Sequence, residues 1–535
     1  MGVKTRSGRF QPQPFFAWPF ALRLALAAFS GAALALSFTG WYIAAFAWVC
    51  VALLMLTLFG AGPGVAALCG FLHGLTFVLA SLFWISTVLE VHGGASPAAA
   101  IGVLLLVAAA WGVLTSLFAW AVNRLAAKSV ARACLAAPFL WVALEFLRDH
   151  LPRVGFPWNL LGYSATGNLA FVQLTAITGI FGLSLAMAAY NALLAWTIAP
   201  SRARPLRRRF APLGGATLIL AVIALAGPRF VPQAGAAHWA RLVQPNLPEE
   251  MVYPSDWYAA HKSDLQEMER ISLLPSSHTL DLLVWPESPG PFSFQDARYA
   301  ALAYNLVGTA RVPFLSGVIE WKRGPSGEAS RPLPYNSAVL LDAQGQRVFS
   351  YDKVHLVPFG EYEPFPLIHR VVTSVSSEVG GFAPGQARSV GTFPDGHRFG
   401  LFICYEAVFP EEVREFTANG AELLINLSND GWFGRSAAPA QHLRMARVRA
   451  AENRRWLLRD TNNGYTVSVD PYGRIRARLA PDQRSALDAP YDFRAGLTPY
   501  VRWGDWIAWL CVVVSALFLL AAPAKKRGRA FVRRR

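Results

Sequence analysis

Phe399-Gly-Leu-Phe-Ile-Cys-Tyr-Glu406 decides how the central part of this chain is read. A short, nearly continuous apolar run stops at a thiol and a carboxylate, as a buried strand does when it ends at a polar site. Asp281-Leu-Leu-Val-Trp285 repeats the pattern and runs directly into Pro286-Glu287. Ala421-Glu-Leu-Leu-Ile-Asn-Leu427 leads into Ser428-Asn-Asp-Gly-Trp432, and Lys353 follows the short run Val348–Tyr351. In open α/β sheets reacting groups gather beyond the carboxyl ends of strands. These ends offer a thiol, a carboxylate and a polar turn, with an ammonium nearby.

Working outward, Pro313–Ile319, Ser337–Leu341 and Tyr465–Val469 are further strand-like runs, and Ala438–Asn453 has a helical pattern with an Arg-rich face. Strands mixed with helices predict a layered α/β or α+β domain over residues 231–500. Pro-rich turns such as Arg331–Pro334 read as surface loops. No internal repeat is evident.

The flanks are of another kind. A spanning helix needs about 20 apolar residues. The runs 18–38, 42–59, 65–89, 98–122 and 169–198 qualify, nearly free of charge, and 506–522 is a further candidate near the end. Two weaker ones are 131–147, interrupted by Glu145, and 213–229, which ends at Pro228-Arg229. The expectation is eight spans: seven in a membrane domain over 1–230, and one in 501–535 with a basic tail. The first run does not read as a cleavable signal, because long apolar segments follow it. Hydrophobic residues make up 54% of the 535 and charged residues 15%, against about 25% charged in an ordinary globular chain. That excludes intrinsic disorder and indicates a membrane protein.

The net charge of +16 would first suggest nucleic acid. Its placement argues otherwise. Cations cluster at Lys4, Arg6 and Arg9, at Arg124, Lys128 and Arg132, at Arg202 through Arg209, and at Lys525 through Arg535. They flank apolar runs as orientation signals do, instead of forming a folded patch. With eight spans every cluster falls on the cytoplasmic side, both termini are inside, and 231–500 is outside.

Cysteine usage sharpens the functional reading. Cys50, Cys69, Cys134 and Cys511 lie in expected spans, where cysteine acts as a small apolar side chain. Cys404 is the one cysteine of the external domain, so it is either a core side chain or a working thiol. As a nucleophile it would need its proton removed. Glu287 could serve as general base and Lys353 could steady the thiolate and a developing oxyanion, unless both are ordinary surface charges. A Cys–His dyad with His355 or His442 is the competing arrangement. His355 lies two residues from Lys353, so on an extended strand both would face one side. No zinc-ligand spacing and no Gly-rich phosphate loop is present, so neither a metal nor a cofactor is implied.

Trp285-Pro-Glu287-Ser, Lys353-Val-His-Leu-Val-Pro-Phe-Gly-Glu361-Tyr and Cys404-Tyr-Glu406 resemble the Glu–Lys–Cys motifs of the nitrilase superfamily. With the apolar spans, the chain is similar to the membrane-embedded apolipoprotein N-acyltransferase family of that superfamily. Ser428–Gly434, Gln441–Ala450, Thr461–Gly464, Glu145–Arg148, Gly155–Trp158 and Gly162-Tyr163 fit the same resemblance, which spans nearly the whole chain. Tyr253 and Trp456 stand where the family often has Trp and Pro. The resemblance implies an eight-helix bundle with an external nitrilase-like αββα sandwich. It implies Glu287 as general base, Lys353 as oxyanion stabiliser, Cys404 as acylated nucleophile, Glu361 as the carboxylate positioning Lys353, Glu406 beside the nucleophile and Tyr405 in the pocket wall.

The implied activity moves an acyl chain from a phospholipid, through a Cys404 thioester, to the α-amine of an N-terminal diacylglyceryl-cysteine on an apolipoprotein. The setting would be a bacterial inner membrane, with a periplasmic catalytic domain and a monomeric chain. A membrane-tethered amidase using the same triad is the alternative. A transporter or receptor reading would rest on Glu145 and Arg148 within a span. Both lie near a helix end, from which they could reach the interface.

Overall fold

The computed structural model describes residues 18–199, 206–250, 253–323, 332–363 and 381–521. Lys4, Arg6, Arg9, Arg202, Arg204, Arg331 and the cluster from Lys525 to Arg535 lie outside them. Among the described residues, five helices are long and apolar enough to cross a bilayer: Pro63–Ser81, Pro97–Ala126, Val130–Asp149, Thr175–Ile198 and Arg207–Phe230. Phe20–Ala35, Ala44–Leu58 and Trp506–Leu520 are apolar but shorter. Two stretches with the weaker hydropathy pattern, 131–147 and 213–229, are thus among the long helices. The first two runs are shorter because of a hydroxyl. Ser37 Oγ donates to the Ile43 carbonyl at 3.0 Å and accepts from the Ala47 amide at 3.1 Å, closing a turn where a longer helix would continue.

The expected span 65–89 is two helices, Pro63–Ser81 and Trp84–Val91. The Ser81 carbonyl accepts from Gln441 Nε2 at 3.0 Å, while the Ile85 amide turns to the Leu82 carbonyl. An outside donor therefore takes an acceptor that the helix ladder would otherwise use. A second break lies at Gly179, whose φ of +63° and ψ of −176° interrupt Thr175–Ile198. A Cβ there would come within 2.6 Å of the Tyr500 ring, and the freed Ile180 amide donates to Glu452 Oε1 at 2.9 Å.

Glu145 and Arg148 do not reach toward an interface. Both are buried. Glu145 Oε1 accepts from Trp141 Nε1 at 3.0 Å and the Leu161 amide at 2.7 Å. Arg148 donates to the Trp158 carbonyl at 2.9 Å and lies over the Trp111 ring at 3.7 Å. Inward partners hold both where extension to water was expected.

Among the described residues, the rest of the chain is built on two six-stranded sheets. The strands are β1 His238–Gln244, β2 Leu282–Trp285, β3 Phe314–Lys322, β4 Leu333–Leu341, β5 Arg347–Asp352, β6 Val390–Thr392, β7 Arg398–Ile403, β8 Leu423–Ser428, β9 Trp456–Thr461, β10 Val467–Val469, β11 Ile475–Arg478 and β12 Ser485–Tyr491. One sheet runs β12-β1-β2-β3-β4-β5, the other β11-β10-β9-β8-β7-β6. The central triples β1-β2-β3 and β7-β8-β9 are parallel. Both faces of such strands are covered, which is why β2 and β7 read as continuous apolar runs. Leu282 and Val284 join a core shared with Leu401, Leu424 and Leu457 of the other sheet. The alternate residues Leu283 and Trp285 pack with Met268 of helix Lys262–Ser272 and Leu306 of helix Ala297–Ala310. Val413 of helix Pro410–Ala418 and Ala446 of helix Ala438–Asn453 enter the core with the second sheet.

The membrane helices and the sheets are not separate. Tyr405, Val408, Phe409, Met445 and Val448 belong to the same buried cluster as Phe38, Trp158 and Phe181. The Arg-rich side of helix Ala438–Asn453 is therefore not a solvated face, and Arg449 is wholly buried.

Candidate active site

The parallel strands β2 and β7 and the antiparallel pair β4–β5 deliver the expected residues to one place. Glu287 follows β2, Cys404 follows β7 and Lys353 follows β5. All three are buried, at 8%, 7% and 1% exposure. Lys353 Nζ lies 2.9 Å from Glu361 Oε1 and 3.4 Å from Glu287 Oε1. Asn336 Nδ2, on β4, donates to both of those oxygens at 2.8 Å. The other Glu287 oxygen accepts from the Asn429 amide at 2.7 Å, and the other Glu361 oxygen from the Val357 amide at 2.7 Å.

These contacts set the electrostatics. Burial works against the Lys353 ammonium, but the charges of Glu361 and then Glu287 outweigh it, so its pKa is raised. Burial, and then the negative charge of Glu287, push the Cys404 thiol up, more than Lys353 and the Ser428 hydroxyl pull it down. The resting thiol is therefore protonated at neutral pH and needs a base.

Cys404 closes no strand of its own. The strand ends at Ile403, and Cys404 has a φ of +50°, in the left-handed region, before the turn Cys404–Val408. Glu406, expected beside the nucleophile, works as a buckle. Its Oε1 accepts from Tyr351 Oη and the Val354 amide at 2.8 Å and the His355 amide at 3.1 Å, while Oε2 accepts from Ile403 N at 2.7 Å. It ties the segment after β5 to the end of β7, so Lys353 and Cys404 are positioned together. Burial raises its pKa.

Tyr405 is buried between the two parts of the molecule, its ring 6.4 Å from Phe156 and 5.1 Å from Phe409. Nearby, Phe433 meets Trp84 edge-on at 5.0 Å and Trp432 meets His92 at 5.1 Å. Trp432 is 40% exposed and Phe359 36%.

The histidine alternatives separate from the thiol. β5 ends at Asp352, so the two-residue alternation expected for Lys353 and His355 does not operate. His355 Nδ1 instead lies 2.7 Å from Glu412 Oε1, its ring stacked on Phe409. His442 is under the site, with Nε2 3.0 Å from the Cys404 carbonyl oxygen.

Sequence reasoning missed Asn336 and Arg459. A single Asn on a strand carries no signal. Its role arises because the β4–β5 pairing sets it against Lys353, whose amide donates to the Asn336 carbonyl at 2.8 Å. It also missed Glu249, whose carboxylate accepts from Asn429 Nδ2 at 3.0 Å and Asn462 Nδ2 at 2.9 Å. Burial pushes Glu249 up to about 7.

Residues 240–494 match the carbon-nitrogen hydrolase family, and residues 30–193 match the apolipoprotein N-acyltransferase N-terminal domain. An apolipoprotein N-acyltransferase of Geobacter metallireducens is 34% identical, covering 94% of this chain and 95% of that protein. One of Azotobacter vinelandii is also 34% identical, over 95% of this chain and 96% of that protein. Among solved structures, an amidase from Nesterenkonia sp. aligns over 52% of this chain and 97% of its own, at 19% identity and a TM-score of 0.36. With relatives of that identity matched from end to end, the chain belongs to the apolipoprotein N-acyltransferase family.

Proposed function

We propose that this protein transfers an acyl chain from a phospholipid, through a thioester on Cys404, to the α-amine of an N-terminal diacylglyceryl-cysteine of an apolipoprotein. One observation carries the reading. A buried thiol, carboxylate and ammonium from three strand ends meet beside an aromatic wall that packs against the membrane helices. In the first half-reaction Glu287 takes the Cys404 proton and the sulfur attacks the ester carbonyl. Lys353 stabilises the tetrahedral oxyanion, and the lysophospholipid oxygen leaves with the proton returned by Glu287. In the second, the α-amine attacks the thioester and gives a proton to Glu287. The thiolate leaves and is reprotonated. Glu361 and Asn336 orient Lys353, Glu406 ties the Lys353 and Cys404 segments together, and Tyr405 forms part of the wall.

The same reading places eight spans in a bacterial inner membrane, with domains over 1–230, 231–500 and 501–535. The two sheets and their helices form a periplasmic αββα sandwich, both termini are cytoplasmic, and the chain works as a monomer. Among the described residues, five helices long and apolar enough to cross a bilayer and three shorter apolar ones support the spans.

The test uses purified full-length protein with phospholipid and then a diacylglyceryl-cysteine peptide. The expected results are an acyl adduct on the Cys404 peptide and an N-acylated product, with loss of both in Cys404→Ala and not in Cys50→Ala. An adduct that persists without Cys404, or acyl release only to water, overturns the reading, the second outcome favouring an amidase.

A further inference from the structure

His442, Asp430 and Arg459 form a fully buried network directly under the nucleophile. His442 Nε2 is 3.0 Å from the Cys404 carbonyl oxygen, which can only accept, so this nitrogen carries the hydrogen. His442 Nδ1 has Arg459 Nη2 at 3.1 Å and Asp430 Oδ1 at 3.0 Å. The Asp430 carboxylate is already engaged, by Arg459 Nη2 at 2.9 and 2.8 Å and by the Ser428 hydroxyl at 3.0 Å. In the neutral form with the hydrogen on Nε2, Nδ1 accepts from Arg459 alone, and Asp430 Oδ1, itself an acceptor, is bonded through Arg459 and Ser428 and not through the ring. Burial and then Arg459 both lower the His442 pKa, in keeping with that neutral form.

The residue this ring holds is strained. A left-handed backbone crowds the Cβ of an ordinary L-residue, and Cys404 adopts it with a φ of +50°. Relaxing the turn would carry the sulfur away from Glu287 and Lys353.

Resting on the acyl-transfer reading above, we propose that His442 is a positioning residue. Its Nε2–H clamps the Cys404 carbonyl and keeps the nucleophile's backbone in the left-handed turn, and Arg459, held by Asp430, donates to Nδ1. His442 does not touch the sulfur and takes no proton from it. The adjacent residue extends the device into the membrane part. Gln441 donates to the Phe38 and Ser81 carbonyls and accepts from Trp84 Nε1 and Trp158 Nε1. Two successive side chains of one helix thus fix the nucleophile on one side and the membrane helices on the other.

The experiment compares full-length wild type with His442→Gln, His442→Asn and His442→Leu. Glutamine reaches with an N–H to the place of Nε2. Asparagine is too short to do so, and leucine has no donor. Two readouts are followed by peptide-resolved mass spectrometry: single-turnover acylation of Cys404 by phosphatidylglycerol vesicles, and the pH profile of Cys404 alkylation by iodoacetamide. Leucine and asparagine should slow acylation by about 10- to 100-fold, the scale of a small displacement of a reacting atom. The KM for phospholipid should stay within a factor of about two, as expected when only transition-state geometry is lost. Glutamine should restore most of the rate and the wild-type alkylation midpoint, whereas leucine and asparagine, which let the sulfur move relative to Glu287 and Lys353, should shift that midpoint.

Wild-type rates in leucine or asparagine, or no rescue by glutamine, overturn the proposal. So does a glutamine variant whose alkylation midpoint lies as far from wild type as that of leucine, because it would mean that the imidazole itself, and not an N–H at that place, sets the thiol. If leucine fails to fold, the asparagine–glutamine pair decides. If wild type itself takes no acyl group from the vesicles, the acyl-transfer reading fails, while the relative alkylation rates still decide the role of His442.

Discussion

Glu361 Oε1 lies 2.9 Å from Lys353 Nζ, the shorter of the two carboxylate contacts that this ammonium makes. Lys353 is held charged mainly by a neighbour eight residues along its own segment. Replacing Glu361 with Gln keeps the shape and removes the charge. Because the two carboxylates raise the Lys353 pKa, the variant should lose its ammonium at a lower pH. The alkaline limb of the acylation profile should then move down, and the rate at neutral pH should fall by about 10-fold or more. An unmoved alkaline limb would show that Glu361 does not sustain the charge.

Glu287→Gln keeps the shape but only one oxygen, so of the Asn336 and Asn429 donors one keeps its acceptor and the other faces an NH2, a loss that thermal unfolding should read. Acylation should drop by about 100- to 10,000-fold, the usual scale of a positioned base. With the thiol pushed up by burial, the proposed role of Glu287 as base makes reactivity at neutral pH depend on it. The deficit should shrink as the pH is raised, measured by single-turnover adduct formation.

Asn336→Leu removes the donor shared by Glu287 and Glu361. Two buried carboxylate oxygens then lose a partner, at a cost of about 1–3 kcal/mol. Thermal unfolding should show the loss, together with slower acylation. Unchanged stability and rate would mean that the bridge carries no weight.

Glu249→Gln should stabilise the protein at high pH. The folded-state pKa is about 7, above an ordinary glutamate value of about 4.3. The folded protein therefore binds this proton more tightly than the unfolded chain, and wild type loses stability as pH rises from about 4 through 7. The variant should show no such loss from this site. Its advantage should grow across that window to about 1–3 kcal/mol and stay level above it, by unfolding at pH 5 and pH 8.

Gly179→Ala probes the joint between the two parts. The added Cβ meets the Tyr500 ring at 2.6 Å and the φ is +63°, so unfolding should become easier by about 1–3 kcal/mol. A variant as stable as wild type would show that the kink relaxes freely.

Much of the fold was legible in the sequence for a local reason. β2, β7 and β8 are short, continuous apolar runs because parallel strands have both faces covered. β9 was not legible, since Trp456-Leu-Leu-Arg-Asp-Thr461 buries Arg459 and Asp460, which interrupt the pattern. Hydropathy likewise located the apolar helices but not their breaks. The gap after Ser81 depends on Gln441, 360 residues away in sequence.

The order Glu287, Lys353, Cys404 and the apolar segments around them are properties of the chain read along its length, because hydrophobic period and motif spacing are written locally. What only the tertiary structure decided is how those groups are used. Asn336 joins two carboxylates, Glu406 braces the turn, and His442 meets a carbonyl in place of a thiol. These depend on contacts such as Asn429 to Glu287, 142 positions apart. The register of paired strands and the packing of helices create such contacts, and no local pattern encodes them.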